Sequence, residues 1–229
     1  MTHSTLKIYG VPFSVHTRKV IVAARLKGIP YEVVPVAPVN PATLPPNWSA
    51  ISPTGLVPVI EDAGFSLADS TAIVLYLERK VPTPALLPSD DKAFAAALAL
   101  DAWAGSELFR SVGHPLFHNQ VVFPVLRKQP GDQAAIDAAL QSAAPKAFDY
   151  LESLAGGAFL IGDALSIADV AVVSNLLLFN YLGHRIDAAR YPKLTRYFGT
   201  HLDSSPLASV LKDEKPVVQS MGLDTSILS

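Results

Sequence analysis

A small α/β domain followed by an all-helical domain is the fold this sequence predicts, and three observations predict it. Residues 5–81 alternate β-branched strand runs with helical runs, "VPTPALLPSD" interrupts the pattern at residues 81–90, and nearly everything beyond has helical spacing built on alanine and leucine. We therefore divide the chain into an α/β domain at 1–81, a linker at 82–90 and an all-α bundle at 91–229.

Each element has its own signal. "TLKIYG" is a short apolar strand, and "VHTRKVIVAARLKG" has helical spacing that stops at Gly28. "YEVVPV" is β-branched with an edge-type proline, and "LVPVIE" and "FSLA" flank the turn "DAG" as a hairpin. "DSTAIVLYLERK" closes the domain as a second helix, so the order is βαβ, a connection, then ββα, with a mixed sheet. Seven prolines between Pro35 and Pro58 leave residues 36–52 as a loop with at most one helical turn near "LPPNWSA". In the linker, proline fixes its own φ and pushes the residue before it out of α space.

The second domain reads as "DKAFAAALALDAWAGSELFRSVG", "DQAAIDAALQSAAPKAFDYLESLAGG", "SIADVAVVSNLLLFNYLG", "AARYPKLTRYFGTHLDSS" and a short "PLASVLKDE". Good helix formers dominate, glycine ends several runs, and no repeat of 20–50 residues is visible, which predicts a bundle rather than a solenoid. Ser166 and Asp169 have capping-box spacing at the start of the most apolar helix.

Composition excludes several functions. Half of the 229 residues are apolar and the net charge is -2, which argues against nucleic acid or an anionic membrane as the main partner. No apolar run is long enough to span a bilayer, and the N-terminus lacks the basic-then-apolar order of a secretory signal, so a cytoplasmic address is expected. The absence of cysteine removes disulfides, thiolate metal sites and any mechanism in which the protein supplies sulfur. A thiol, if one reacts here, arrives with a ligand.

Three places carry candidate chemistry. Ser14 precedes the first helix; it either caps that helix or donates to an anion held by the free amides and the dipole. Val57 before Pro58 either marks an edge strand or holds a cis bond that frees the Val57 backbone to pair with an extended, peptide-like ligand. Asp69 either caps the helix after the hairpin or takes a ligand ammonium, while Ser70 and its amide meet a ligand carboxylate.

In this order, "YGVPFSVHTRKVIVAARLKGIPYE", "SPTGLVP", "LADSTAIVLYLE" and "GDALSIADVAVV" resemble the glutathione S-transferases over essentially the whole chain, in the serine-type branch that includes the phi, theta-like and many bacterial members. The resemblance implies a thioredoxin-like N-terminal domain that binds glutathione and a helical domain that supplies a pocket for a hydrophobic electrophile. It implies that Ser14 is the catalytic residue hydrogen-bonded to the glutathione sulfur, that Leu56, Val57 and cis Pro58 meet the cysteinyl part, and that Asp69 and Ser70 hold the γ-glutamyl end. It further implies glutathione as co-substrate with no cofactor or metal, and a homodimer. Arg18, one turn past Ser14, reads either as an exposed arginine or as a source of positive field near the sulfur.

Thr43, Leu44, Pro45 and Leu56 depart from the pattern, because relatives carry basic residues at the first three and a polar one before the cis pair. Trp103, Phe109, Phe117 and Phe123 read as core or dimer contacts more often than as pocket lining, and the electrophile pocket is nonetheless expected at Phe13, Ser106, Arg110 and Phe117. Tyr9 is read as packing. His114 and His118 have a helical metal spacing, but Pro115 intervenes and no carboxylates accompany them, and His16 is not read as catalytic.

Three functions follow. The first is transfer of the glutathionyl group to hydrophobic electrophiles, with a peroxidase side activity on organic hydroperoxides. The second is a noncatalytic binding or scaffold protein of the same fold, supported by the missing basic residues. A glutaredoxin-like reductase is disfavoured by the lack of cysteine.

Overall fold

The computed structural model describes residues 5–204 and 206–228. In it, β1 (Leu6–Gly10), β2 (Tyr31–Pro35), β3 (Val59–Asp62) and β4 (Phe65–Ala68) form one mixed sheet in the order β2-β1-β3-β4. β1 runs parallel to β2 and antiparallel to β3, and β3 pairs antiparallel with β4 through a tight turn. Ala63 and Gly64 both take positive φ there, 51° and 86°, as short hairpin loops require.

Alternation gives the sheet two apolar faces. Ile8 stands opposite Ile60, and both join the main core under α1 (Val15–Leu26) and α3 (Ser70–Lys80). Tyr9 stands opposite Val59 on the other face, in a small cluster with Val36 and Trp48. This explains the proline-rich connection, which carries a 3-10 turn at Pro41–Thr43 and a single helical turn α2 (Trp48–Ile51) and so brings an indole onto the second face.

The helical domain comprises α4 (Asp91–Trp103), α5 (His114–Phe117), α6 (Gln133–Ala138), α7 (Ala144–Leu154), α8 (Ile167–Tyr181), α9 (Pro192–Leu202) and α10 (Leu207–Ser220). One of its rods is longer than the sequence suggests, and another has the expected length but widened turns inside it. α4 continues through widened, π-type turns at Ala104–Gly113 into α5 and on through His118–Leu126, and α6 joins α7 through Ala139–Ala143 in the same way. A proline lies within or just after each widened stretch: Pro115, Pro124 and Pro145. Proline lacks the N–H that would close a normal turn, and relaxing to the wider spacing keeps each rod continuous, in the first case past the end expected at Gly113. α10 likewise runs past the expected "PLASVLKDE", through Pro216.

α8 is buried along its whole length. At its start the Asp169 carboxylate accepts from the amides of Ser166 (2.9 Å) and Leu160 (2.8 Å) and from the hydroxyls of Ser166 and Tyr197. The expected capping box is therefore present and ties α9 to α8 as well.

The two domains share one core. α1 packs on α8 and α10, and Leu86 of the linker is buried, its carbonyl accepting from the Ile167 amide. Arg18 is not exposed, which corrects one reading of its position: it has 0% exposure and makes a two-armed ion pair with Glu214 of α10, at 2.9 and 3.0 Å. Its remaining donors reach the carbonyls of Ser174 on α8 (2.9 Å) and Phe13 (3.0 Å). Burial works against its charge, yet the Glu214 carboxylate beside it holds the guanidinium pKa above its ordinary value. The Tyr181 hydroxyl donates to the same carboxylate.

Two predictions follow from this packing. Glu214→Ala strands a buried guanidinium and should cost about 3–5 kcal/mol in chemical denaturation, more than Glu214→Gln. His16 on α1 packs its ring on Phe109 at 5.0 Å, and burial, then the Lys19 charge, push its pKa down to about 4. Between the unfolded value of 6.5 and about 4 only the unfolded chain takes the proton, so stability should fall as pH drops through that window, by at most about 1.4 kcal/mol per pH unit from this group. His16→Gln should flatten the slope measured by denaturation at successive pH values.

Candidate active site

β1 ends at Gly10, where a Cβ would lie 2.4 Å from Thr17 Oγ1, so only glycine lets α1 begin this close to the strand. The chain then turns through Val11–Phe13 and starts α1 at Ser14, whose amide donates to the Val11 carbonyl (3.0 Å). Ser14 is the N-cap, but its Oγ accepts from the Thr17 amide at 3.5 Å, a long contact. Ser14 is half-buried and lines a cavity of about 350 Å³. Both readings of Ser14 thus share one geometry: a loosely held cap whose hydroxyl faces an open volume.

The cavity is apolar. Phe13 and Phe117, 6.4 Å apart by ring centroid, form one side with Phe109; Leu126, Leu178, Val217 and Met221 come from the helical domain; Val11, Pro38, Val39, Asn40 and Val57 come from the first. No lysine, arginine, aspartate or glutamate lines it among the described residues. A larger groove, about 590 Å³ between Trp103 on α4 and Tyr150 on α7, shares no residue with it and holds none of the candidate site residues.

Val57–Pro58 is a cis peptide, and Val57 lines the cavity while the β3 ladder begins only at Val59. Leu56 does not join them. Its side chain is 64% exposed, its amide donates to Thr54 Oγ1 and its carbonyl accepts from Ser52 Oγ, so its polar groups are used inside its own turn. Asp69 caps α3, its Oδ1 accepting from the Ala72 amide at 2.9 Å, and adopts φ 77°; its side chain is exposed and Ser70 beside it is buried. Directly after them Thr71 joins a buried triangle in which Lys19 Nζ reaches Asp101 Oδ1 (2.6 Å) and Thr71 Oγ1 (2.9 Å), and Thr71 donates to Asp101 Oδ2 (2.6 Å). That triangle, which spacing could not reveal, fixes the N-terminus of α3 against α1 and α4.

Of the expected pocket residues, Phe13 and Phe117 line the cavity, but Ser106 and Arg110 do not. Both are exposed: Ser106 donates to the Ala102 carbonyl and Arg110 pairs with Glu107. It is Gly105 and Phe109, each one residue earlier on the rod, that face His16 on α1, and the phase of the helix therefore turns Ser106 and Arg110 outward. Leu126, Val217 and Met221 escaped notice because both helices were expected to end sooner.

The remaining candidates lie elsewhere. The Tyr9 hydroxyl donates to Glu61 Oε2 (3.0 Å) and its ring packs with Trp48, outside the cavity lining. His114 and His118 stack 4.0 Å apart, and no group of three or more potential metal ligands converges among the described residues. Thr43 is occupied within its loop, accepting from the Ala37 amide and lying 2.8 Å from the Asn40 carbonyl. Among the described residues no helix is long and apolar enough to cross a membrane.

Comparison with known proteins agrees with this arrangement. The family model for the glutathione S-transferase N-terminal domain matches residues 8–85, and that for the C-terminal domain matches residues 133–200. A maleylpyruvate isomerase from Ralstonia sp. is 33% identical over 174 residues, 73% of this chain and 79% of that protein. A maleylacetoacetate isomerase from Pseudomonas aeruginosa is 31% identical, covering 83% and 88%, and human glutathione S-transferase theta-1 is 31% identical, covering 75% and 72%. The crystal structure of a glutathione S-transferase from Rhodospirillum rubrum F11 superposes with a TM-score of 0.79 at 26% identity, over 90% of this chain and 92% of that one. With a thioredoxin-like sheet, a helical second domain, both family models matched and relatives above 30% identity across most of its length, this chain belongs to the glutathione S-transferase family.

Proposed function

We propose that this chain transfers the thiol of glutathione to neutral, hydrophobic electrophiles, with Ser14 donating a hydrogen bond to the sulfur. The observation that carries this reading is a hydroxyl at a helix N-terminus on the wall of an apolar cavity, beside a cis Val57–Pro58 bond. The extended tripeptide pairs with the Val57 backbone. Its γ-glutamyl ammonium meets Asp69, and its carboxylate meets the Ser70 end of α3. A free thiol has a pKa near 8.5, and lowering it by about two units takes roughly 2.7 kcal/mol of preference for the thiolate, within reach of one hydroxyl donor plus helix amides. Ser14 forms no covalent bond; the sulfur attacks the electrophile in the apolar volume under Phe13 and Phe117.

The same thiolate, attacking an organic hydroperoxide so that the alcohol leaves and the sulfur becomes a sulfenic acid, which a second glutathione converts to the disulfide and water, gives a peroxidase side activity. Within this reading the enzyme is a cytoplasmic homodimer. A second reading, isomerisation of a maleyl compound, is favoured by the names of two relatives. Such a substrate brings carboxylate charge into a volume that offers it no cation, which favours the neutral electrophile.

Retention on immobilised glutathione and turnover of a chloronitrobenzene test the transferase reading against a noncatalytic one. Ser14→Ala should lower kcat/KM at neutral pH by up to about 25-fold, the fall in thiolate fraction if the whole two-unit depression from near 8.5 is lost, with KM for glutathione little changed. Equal activity in an active parent and in the variant rejects the role of Ser14; a parent that neither binds nor turns over favours the scaffold. The site also predicts a tolerance. Pro38, Val39 and Asn40 line the cavity from the proline-rich loop without a cation, so blocking the glycyl carboxylate of glutathione as its ethyl ester should change KM by less than about threefold, about 0.65 kcal/mol. A tenfold rise would reveal a cation that reaches this end.

A further inference from the structure

We infer that Arg18 and Glu214 are positioning residues that hold the Ser14 turn and the α10 wall of the cavity in one fixed relation. This rests on the function proposed above and adds to it a pair of residues that touch neither the tripeptide nor the electrophile.

The geometry carries it at both ends. Arg18 Nη2 donates to the carbonyl of Phe13, the peptide group immediately before Ser14, at 3.0 Å, and the Arg18 amide accepts its place in α1 by donating to the Ser14 carbonyl at 2.8 Å. The turn bearing the hydroxyl is thus bonded from both sides by one residue. At the other end, Nε and Nη2 grip the two oxygens of Glu214, at 2.9 and 3.0 Å, and the Tyr181 hydroxyl closes the carboxylate from α8. Val217 follows Glu214 by three residues on α10 and Met221 caps the C-terminus of that helix, and both line the cavity.

A forked guanidinium on a carboxylate fixes distance and plane together, which a single point contact does not. With both side chains at 0% exposure there is no water to replace a lost bond, so a change at either end shifts the other. A pair serving only to hold the fold would set stability alone. A pair that sets geometry must also set how well the Ser14 hydroxyl points at the sulfur and how closely α10 approaches the electrophile.

The test uses Arg18→Lys and Glu214→Gln in the full chain. Lysine keeps the charge but cannot reach Glu214, Ser174 and Phe13 together. Thiolate of bound glutathione is followed by its ultraviolet absorbance against pH, and KM is measured separately for glutathione and for a chloronitrobenzene. The inference expects the bound thiol's pKa to rise by about one unit, which leaves about threefold less thiolate at neutral pH, together with at least a roughly threefold rise in the electrophile KM and little change in the glutathione KM. Should either variant fail to fold, Tyr181→Phe removes one bond to Glu214 while leaving the charges paired, and must move both readouts in the same direction by less. Folded variants with the parental thiolate titration and parental KM values overturn the inference, even where Tm has fallen. A parent that shows no thiolate when glutathione is added overturns instead the role given to Ser14. The pair is then judged by the affinity of a neutral apolar dye for the cavity, which Arg18→Lys weakens if α10 is positioned by Arg18 and leaves unchanged if it is not.

Discussion

Arg18 carries its charge at a point where α1, α8 and α10 meet, and every arm of its guanidinium is spoken for: Glu214 on one helix, Ser174 on another, and the Phe13 carbonyl in the turn that opens its own helix. A buried ion pair of this kind adds little net stability over a well-packed apolar substitute, because removing two charges from water consumes most of the attraction gained. What it does is specify. Only one arrangement of the three helices satisfies all of its donors, and displaced arrangements leave a charge or a carbonyl unpaired away from solvent.

That constraint makes the two domains one energetic unit. α1 belongs by sequence to the α/β half, yet its inner face is completed by α8 and α10, and the main apolar cluster passes without a break from Ile8 and Ile60 to Leu177 and Val210. The linker reinforces this. Lys27 donates to the carbonyls of Val81 and Pro84 and pairs with Glu78, while Leu86 is inserted into the core. The proline content of the linker therefore describes its backbone and not any freedom between the domains. The cavity beside Ser14 is the consequence, since its walls come from both halves and exist only while they are held together.

Much of the site was legible because it is local. A serine before a helical run, a valine before a proline and an acid with a serine opening the next helix each depend on a few consecutive residues: Ser14 and Asp69 cap their helices and Val57 precedes a cis proline, while of the four only Ser14 and Val57 line the cavity. Leu56 lies next to Val57 in the chain, but its turn bonds back on Ser52 and Thr54 and sends its side chain outward. Ser106 and Arg110 were missed for a different reason. They were expected on the cavity-facing side of their helix, and the residue the structure places there is Phe109, one position before Arg110, a phase no short window fixes.

Strand and helix order, the mixed sheet, the helical second half, the capping box at Ser166 and Asp169 and the placing of a capping serine after β1 were determined by the sequence alone, through patterns that span no more than a few turns. Only the tertiary structure decided the burial of Arg18 with Glu214, 196 positions away, the Lys19–Asp101–Thr71 triangle, and the contribution of Val217 and Met221 to the cavity. The physical reason is that a lone arginine, lysine or glutamate reads as a solvated charge in any local window. Whether it is buried depends on a partner that the chain brings to it from far along the sequence, and no periodicity records that meeting.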